Sequence, residues 1–253
     1  MTKTILITGS TDGIGLLTAK MLAGQGHMVL LHGRSEAKLA AAVAEVGDET
    51  RSFRADLSSL EETRALAEAV RAEVPQLDVL INNAGVFKVP GAVLPNGQDV
   101  RFVVNTLAPY ALTRELLPIM PKDGRVINLS SAAQAPVDVA AMAGGIAMDD
   151  MSAYAQSKRA ITLWSAEMAA ELPDGPAVLA VNPGSLLASK MVTEGFGVAG
   201  SDLRIGADIL CRLALEPGFA AESGRYWDND AGGFGRVDPS QSRAVVAAIE
   251  ALI

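Results

Sequence analysis

Residues Thr8-Gly9-Ser10-Thr11-Asp12-Gly13-Ile14-Gly15 follow directly on the apolar run Ile5-Leu6-Ile7. A short β-branched run that breaks into glycines and resumes with helical spacing reads as strand, tight turn and helix. Gly9, Gly13 and Gly15 let the backbone turn sharply and approach a ligand closely. The helix that follows aims unpaired N–H groups at that ligand, which favours an anion such as a dinucleotide pyrophosphate. The spacing G-x-x-x-G-x-G differs from the G-x-G-x-x-G of many dinucleotide turns, but the physical task is the same. Ser10 and Thr11 add hydroxyl donors, and Asp12 and Ile14 complete the turn.

Beyond this turn, β-like runs alternate with helical patterns. Strands are expected at Thr4–Thr8, Met28–His32, Arg51–Ala55, Val79–Asn82, Arg125–Leu129, Ala177–Val181 and Gly224–Trp227. Most are short, apolar and β-branched, as in strands covered on both faces. Helices are expected at Gly13–Gly26, Glu36–Val46, Leu60–Glu73, Val100–Met120, Met151–Leu172, Ser201–Glu216 and Pro239–Ala251. Ser35 and Ser58 or Ser59 suit N-caps, and Gly26 and Gly47 suit helix ends. Alternating βαβ units imply an α/β fold with a doubly wound parallel sheet. The 253 residues read as one domain, 1–253, with no repeat and no linker. Two long connections, 132–150 and 186–200, emerge at carboxyl ends of strands, where open sheets bind ligands. They are expected to form substrate loops, the second a mobile lid.

Composition narrows the partners. The net charge of −8 disfavours a nucleic-acid footprint. No apolar run reaches the ~18 residues of a membrane span. With one cysteine, Cys211, no internal disulfide can form, and a cytoplasmic setting is expected. Two histidines and one cysteine make a His/Cys zinc site unpromising. His27 and His32 are read as structural, and Cys211 as a small core residue. Trp227 and Phe234 are candidates to close a substrate cleft, and Met142, Met148 and Met151 to line it.

The second strand ends Leu31-His32-Gly33-Arg34-Ser35. NAD binders place an acid here for the adenosine ribose. Gly33 takes that place, and the Arg34 guanidinium suits a 2′-phosphate, so NADP(H) is favoured over NAD(H). Asp56-Leu57 follows the third strand, with Asp56 a candidate partner for an adenine amino group. Asn82-Asn83-Ala84-Gly85 ends the fourth.

Tyr154 and Lys158 stand four apart on one expected helix and share a face. Carbonyl reduction by hydride leaves an alkoxide that must be protonated, and oxidation runs the reverse. A phenol ordinarily titrates near 10, and a neighbouring ammonium is expected to lower that value. Tyr154 is therefore assigned as general acid/base, and Lys158 as its tuning cation and a ligand of the nicotinamide ribose. Ser130 or Ser131, which the residues alone do not separate, would donate to the substrate oxygen.

These residues occur in a familiar order. Thr8–Gly15, Asn82–Gly85, Asn105, Ser131, Tyr154-Ala155-Gln156-Ser157-Lys158 and Pro183-Gly184 resemble the short-chain dehydrogenases/reductases from Lys3 to about Trp227. The resemblance implies a Rossmann-like, seven-stranded, three-layer αβα fold and a nicotinamide cofactor. It implies a catalytic set of Asn105, Ser131, Tyr154 and Lys158, with Asn105 holding a water that links Lys158 to solvent. Pro183, Gly184 and Leu186 would lie near the carboxamide. Ala188 stands where many relatives have threonine, and Ser223–Gly235 lacks the usual V-D-G-G tail. The 23-residue step from Ser131 to Tyr154 is similar to that of retinol-dehydrogenase-like branches. The expected activity is interconversion of a small-molecule carbonyl and alcohol, in a homodimer or homotetramer associating through the helices 100–120 and 151–172. The rival reading is a nucleotide-sensing binding module on the same fold without turnover.

Overall fold

The computed structural model describes residues 1–47 and 50–253. Eight strands form one sheet: β1 (Thr4–Ile7), β2 (Met28–Gly33), β3 (Arg51–Arg54), β4 (Val79–Asn82), β5 (Arg125–Leu129), β6 (Ala177–Asn182), β7 (Tyr226–Asp228) and β8 (Gly233–Gly235). Their order is β3-β2-β1-β4-β5-β6-β7-β8, parallel except for the final pair. The chain winds outward from β1 in both directions, so a crevice opens at the carboxyl ends of β1 and β4.

Alternation along the strands builds the three layers. Leu6, Leu30, Leu80, Val126 and Val178 face one core. Ile5, Ile7, Val29, Leu31, Ile81, Ile127 and Leu179 face the other. The first face is covered by α3 (Leu60–Glu73), α5 (Ala108–Leu116), α7 (Asp150–Glu171) and α10 (Ser242–Glu250). The second is covered by α1 (Gly13–Gly24), α2 (Glu36–Val46) and α9 (Leu203–Leu215). Ser35 caps α2 through the Lys38 amide, and Ser59 caps α3 through the Glu62 amide. Cys211 is buried in α9, which pushes its thiol up to about 12.

The structure departs from the sequence expectations first at the edge of the sheet. The sheet has eight strands instead of seven. After β7 the chain reverses through Gly232, at φ +64°, and β8 returns antiparallel. Phe234 then packs on Trp227, ring centres 5.0 Å apart, and on Phe219. That cluster belongs to the α9-side core, so Trp227 and Phe234 do not close the cleft.

The expected helix 100–120 is one helical run in four parts. A three-residue α4 (Val100–Phe102) leads into a π segment, Val103–Leu107, then α5 and a 3-10 turn, Leu117–Ile119. Pro109 has no N–H for the carbonyl of Asn105, and its ring crowds that carbonyl. Widening the preceding turn relieves the clash.

Both long connections contain helix: α6 (Val139–Met142) in the first and α8 (Lys190–Phe196) in the second. Met142 in α6 is fully buried, whereas Met151 borders the crevice. The C-terminal α10 lies against α7, burying Val245, Val246 and Ile249, and its Glu250 accepts from the Tyr110 phenol of α5 at 2.8 Å. The chain thus covers with its own C-terminus part of the face on which association was expected. Among the described residues no helix is long and apolar enough to cross a membrane.

Candidate active site

The crevice holds a cavity of about 590 Å³. At one end, the glycine turn joins β1 to α1. Gly9 has φ +63°, and a Cβ there would sit 2.9 Å from the Ala84 Cα. A Cβ on Gly15 would meet the Asn83 amide at 2.4 Å. The β1 turn and the end of β4 therefore touch, and only hydrogen side chains permit it. Asn83 donates to the carbonyls of Thr8 and Gly9 at 2.8 and 3.0 Å, and the Ala84 amide donates to the Thr8 hydroxyl at 3.0 Å. Asp12 caps α1 by accepting from the Gly13 amide at 2.8 Å.

Of the expected cofactor residues, Gly9, Thr11, Asp12, Gly13, Ile14, Gly15, Arg34, Asp56, Leu57, Asn83, Ala84, Gly85, Pro183, Gly184 and Leu186 all line this cavity. Ser10 does not. Its hydroxyl is fully buried, donating to the Ile7 carbonyl and accepting from the His32 amide at 2.9 Å. A serine after the first glycine points inward here because the turn needs an internal hydrogen bond.

The end of the cavity beside β2 and β3 carries the charges. Arg34 is mostly exposed and stands 3.9 Å from Asp56. Asp56 uses its other carboxylate oxygen to hold the turn before α3, accepting from the amide and hydroxyl of Ser58. Lys38, which the sequence reading passed over, also lines the cavity, 3.9 Å from Asp12. A Cβ on Gly33 would meet the Thr11 methyl at 2.5 Å, so the ribose-binding acid of NAD sites has no room there without a shift of Thr11.

At the other end, α7 brings Tyr154 and Lys158 beside the end of β5. Tyr154 packs on Phe87, ring centres 5.1 Å apart, and Ser131 is the side chain that acts on its phenol. Ser130 is committed elsewhere: its hydroxyl donates to the Lys158 carbonyl at 2.8 Å and pairs with Thr162. Ser131 is thus the serine whose hydroxyl faces the phenol. Its carbonyl is held by the Tyr226 phenol at 3.0 Å and the Gln134 amide at 2.9 Å.

Lys158 is buried and donates to the Leu129 carbonyl at 2.7 Å. Burial without an anionic partner lowers its ammonium to about 8. The Tyr154 phenol is raised, chiefly by burial and against the hydrogen bond from Ser131. The expected lowering by Lys158 is not what the structure shows. The ammonium lies 5.7 Å from the ring centre, and its donor faces a carbonyl.

Asn105, at the centre of the π segment, does not line the cavity. Its amide accepts from the Val86 N–H at 2.8 Å and donates to the Val86 carbonyl and the Ser157 hydroxyl at 2.9 and 3.0 Å. A Cβ on Gly85 would lie 3.4 Å from both Asn105 Oδ1 and Lys158 Nζ, which places all three together. The side chain therefore ties the β4 exit to α7 through protein atoms.

Pro183-Gly184-Ser185-Leu186 forms the remaining wall. Leu186 has φ +50°, a strained conformation for a branched residue. Side chains from the β7 exit hold the segment from behind. Asn229 donates to the Pro183 carbonyl, and Asp230 accepts from the Ser185 amide at 2.9 Å and from its hydroxyl. Desolvation is the largest single influence on the Asp230 carboxyl and raises it, but the hydrogen bonds from Ser185 and Asn182 together hold it below its usual range. Asn182 donates to both Asp228 and Asp230. This strap was invisible in the sequence, since it joins positions nearly fifty residues apart.

The profile of the short chain dehydrogenase family matches residues 3–196. Retinol dehydrogenase 13 of Homo sapiens is 33% identical over 244 residues, covering 88% of this chain and 71% of that protein; its Mus musculus counterpart is matched over 58% of its length. Among solved structures, an uncharacterised protein from Mycobacterium paratuberculosis superposes with a TM-score of 0.81 at 28% identity, covering 99% of this chain and 92% of that one. A short chain dehydrogenase from Shigella flexneri 2a, complexed with NADP, gives 0.71 at 27% identity, covering 90% and 97%.

Proposed function

The chain belongs to the short-chain dehydrogenase family, and from that membership we propose that it interconverts a carbonyl and an alcohol with NADP(H) in preference to NAD(H). The observation that carries the reading is a single cavity that joins the glycine turn to Tyr154, Lys158 and Ser131. The donor set fits a nicotinamide dinucleotide. The turn and the α1 N-terminus suit the pyrophosphate, Asp56 and Leu57 flank the adenine end, and Pro183, Gly184 and Leu186 border the carboxamide end. When bound, that cofactor supplies or accepts the hydride.

The protein's own groups do the rest. In the reducing direction the Tyr154 phenol gives its proton to the nascent alcohol oxygen, and burial keeps that phenol protonated at neutral pH. Ser131 donates to the same oxygen. Lys158 brings a positive charge to the donor's neighbourhood, and Asn105 fixes Gly85 and Val86 against α7. The preference for NADP(H) rests on Arg34 and Lys38 as cations for a 2′-phosphate and on the crowding at Gly33. The NADP bound to the Shigella relative is in keeping with it.

Phe87, Val89, Met151, Met191 and Val192 make the substrate side largely apolar. An apolar alcohol or aldehyde suits such walls, as the retinol dehydrogenase named among the relatives also suggests. Residues 186–200, with α8, are the natural cover. We read residues 1–253 as one domain in a cytoplasmic setting, and a dimer or tetramer would use the parts of α5 and α7 that α10 leaves free. The test is consumption of NADPH against a panel of aldehydes, ketones, quinones and steroids. Turnover supports the reading; tight NADPH binding with no turnover on any of them would favour the nucleotide-sensing module.

A further inference from the structure

His32 is a buried titratable group on the cofactor groove that the chemistry above does not use. It sits in β2, 2% exposed, against the floor of the cofactor groove. Its imidazole bridges two separate walls of that groove. Nδ1 accepts from the Gly9 N–H at 3.1 Å, and Nε2 faces the Ala55 carbonyl at 3.1 Å. Accepting at Nδ1 requires the proton on Nε2, and the carbonyl opposite requires the same. One neutral tautomer satisfies both contacts. A protonated ring would set N–H against N–H at Gly9.

Burial favours that neutral form and lowers the imidazole to about 4. The charges that act on it oppose each other, Asp56 from the β3 exit and Arg34 from the β2 exit. The main chain is pinned as well: the Ser10 amide donates to the His32 carbonyl at 3.0 Å, and the His32 amide donates to the Ser10 hydroxyl. Gly9 is therefore gripped on both sides, its N–H by His32 and its carbonyl by Asn83.

We infer that His32 is a positioning residue for the dinucleotide. Its ring sets the plane of the Gly9 peptide, from which Thr11–Gly15 take their place, and it fixes the spacing between that turn and the Ala55–Asp56 adenine wall. The inference rests on reading the groove as a dinucleotide site.

Two replacements separate the contacts. In His32→Asn the amide oxygen can stand where Nδ1 stood and keep the Gly9 bond. In His32→Gln the amide reaches the Nε2 position and keeps only the Ala55 bond. NADPH affinity is read by fluorescence titration, beside melting temperature and with His32→Ala as reference. His32→Asn is expected to bind within about threefold of the wild type, and His32→Gln and His32→Ala about tenfold or more weakly, the scale of one buried hydrogen bond. Nitrogen-15 NMR of the cofactor-free wild type at pH 7 is expected to show an Nε2-protonated, Nδ1-accepting ring.

Equal affinities for the Asn, Gln and Ala variants would overturn the inference, as would a ring protonated on Nδ1. A wild type that binds neither NADPH nor NADH would instead overturn the cofactor reading. The tautomer measurement distinguishes the two failures, because it needs no cofactor.

Discussion

The Lys158 ammonium stands 5.7 Å from the centre of the Tyr154 ring and gives its hydrogen bond to the Leu129 carbonyl. The pair is therefore a neutral phenol beside a cation that burial has made easy to deprotonate. Below about 8 the ammonium is charged; as pH rises through that value the charge is lost while the phenol keeps its proton. For carbonyl reduction, kcat/KM for NADPH should be level on the acid side of 8 and fall above it, since that parameter reports the free enzyme. A limb that rises with pH through the same range would show that the charged ammonium is not needed.

Arg34 is 70% exposed on its side chain and only 3.9 Å from its nearest carboxylate oxygen, so it is held weakly and can turn to a phosphate. Arg34→Ala should weaken NADPH binding by about tenfold or more while leaving NADH binding almost unchanged. Isothermal titration with both cofactors checks this. An unchanged ratio of the two affinities would remove Arg34 from cofactor selection.

Arg101 ties the segment before α4 to the start of α7. Its guanidinium, 2% exposed, pairs with Asp99 at 2.5 Å and with Asp150 at the start of α7. These carboxylates raise its pKa against the cost of burial. Removing one partner leaves carboxylate charge stranded in a buried place. Arg101→Ala should destabilise the protein by about 3 kcal/mol, somewhat reduced because Asp150 is half exposed. Urea denaturation measures it; a change below about 0.5 kcal/mol would mean that solvent already screens the cluster.

The glycine-turn half of the cavity is legible in the sequence because its physics is local. Glycines 9, 13 and 15 lie within one turn, and Tyr154 and Lys158 share a helix face by their spacing alone. What could not be read depends on contacts between distant segments. The inward turn of the Ser10 hydroxyl needs His32, and the Asp228–Asp230 strap behind Ser185 needs the β6–β7 pairing. His32 itself reads as an ordinary strand residue until the Gly9 amide is seen on its ring. The rise in the Tyr154 pKa follows from burial, which spacing does not reveal. The eighth strand is three residues long and two of them are glycine, so no periodicity marks it.

The central claim is that the Tyr154 phenol delivers the proton in a hydride transfer. Tyr154→Phe keeps the ring against Phe87 and removes only the hydroxyl. Single-turnover NADPH oxidation by this variant, on whichever carbonyl the wild type reduces, should be slower by about a hundredfold or more, with NADPH affinity unchanged. Wild-type turnover in Tyr154→Phe would contradict the account.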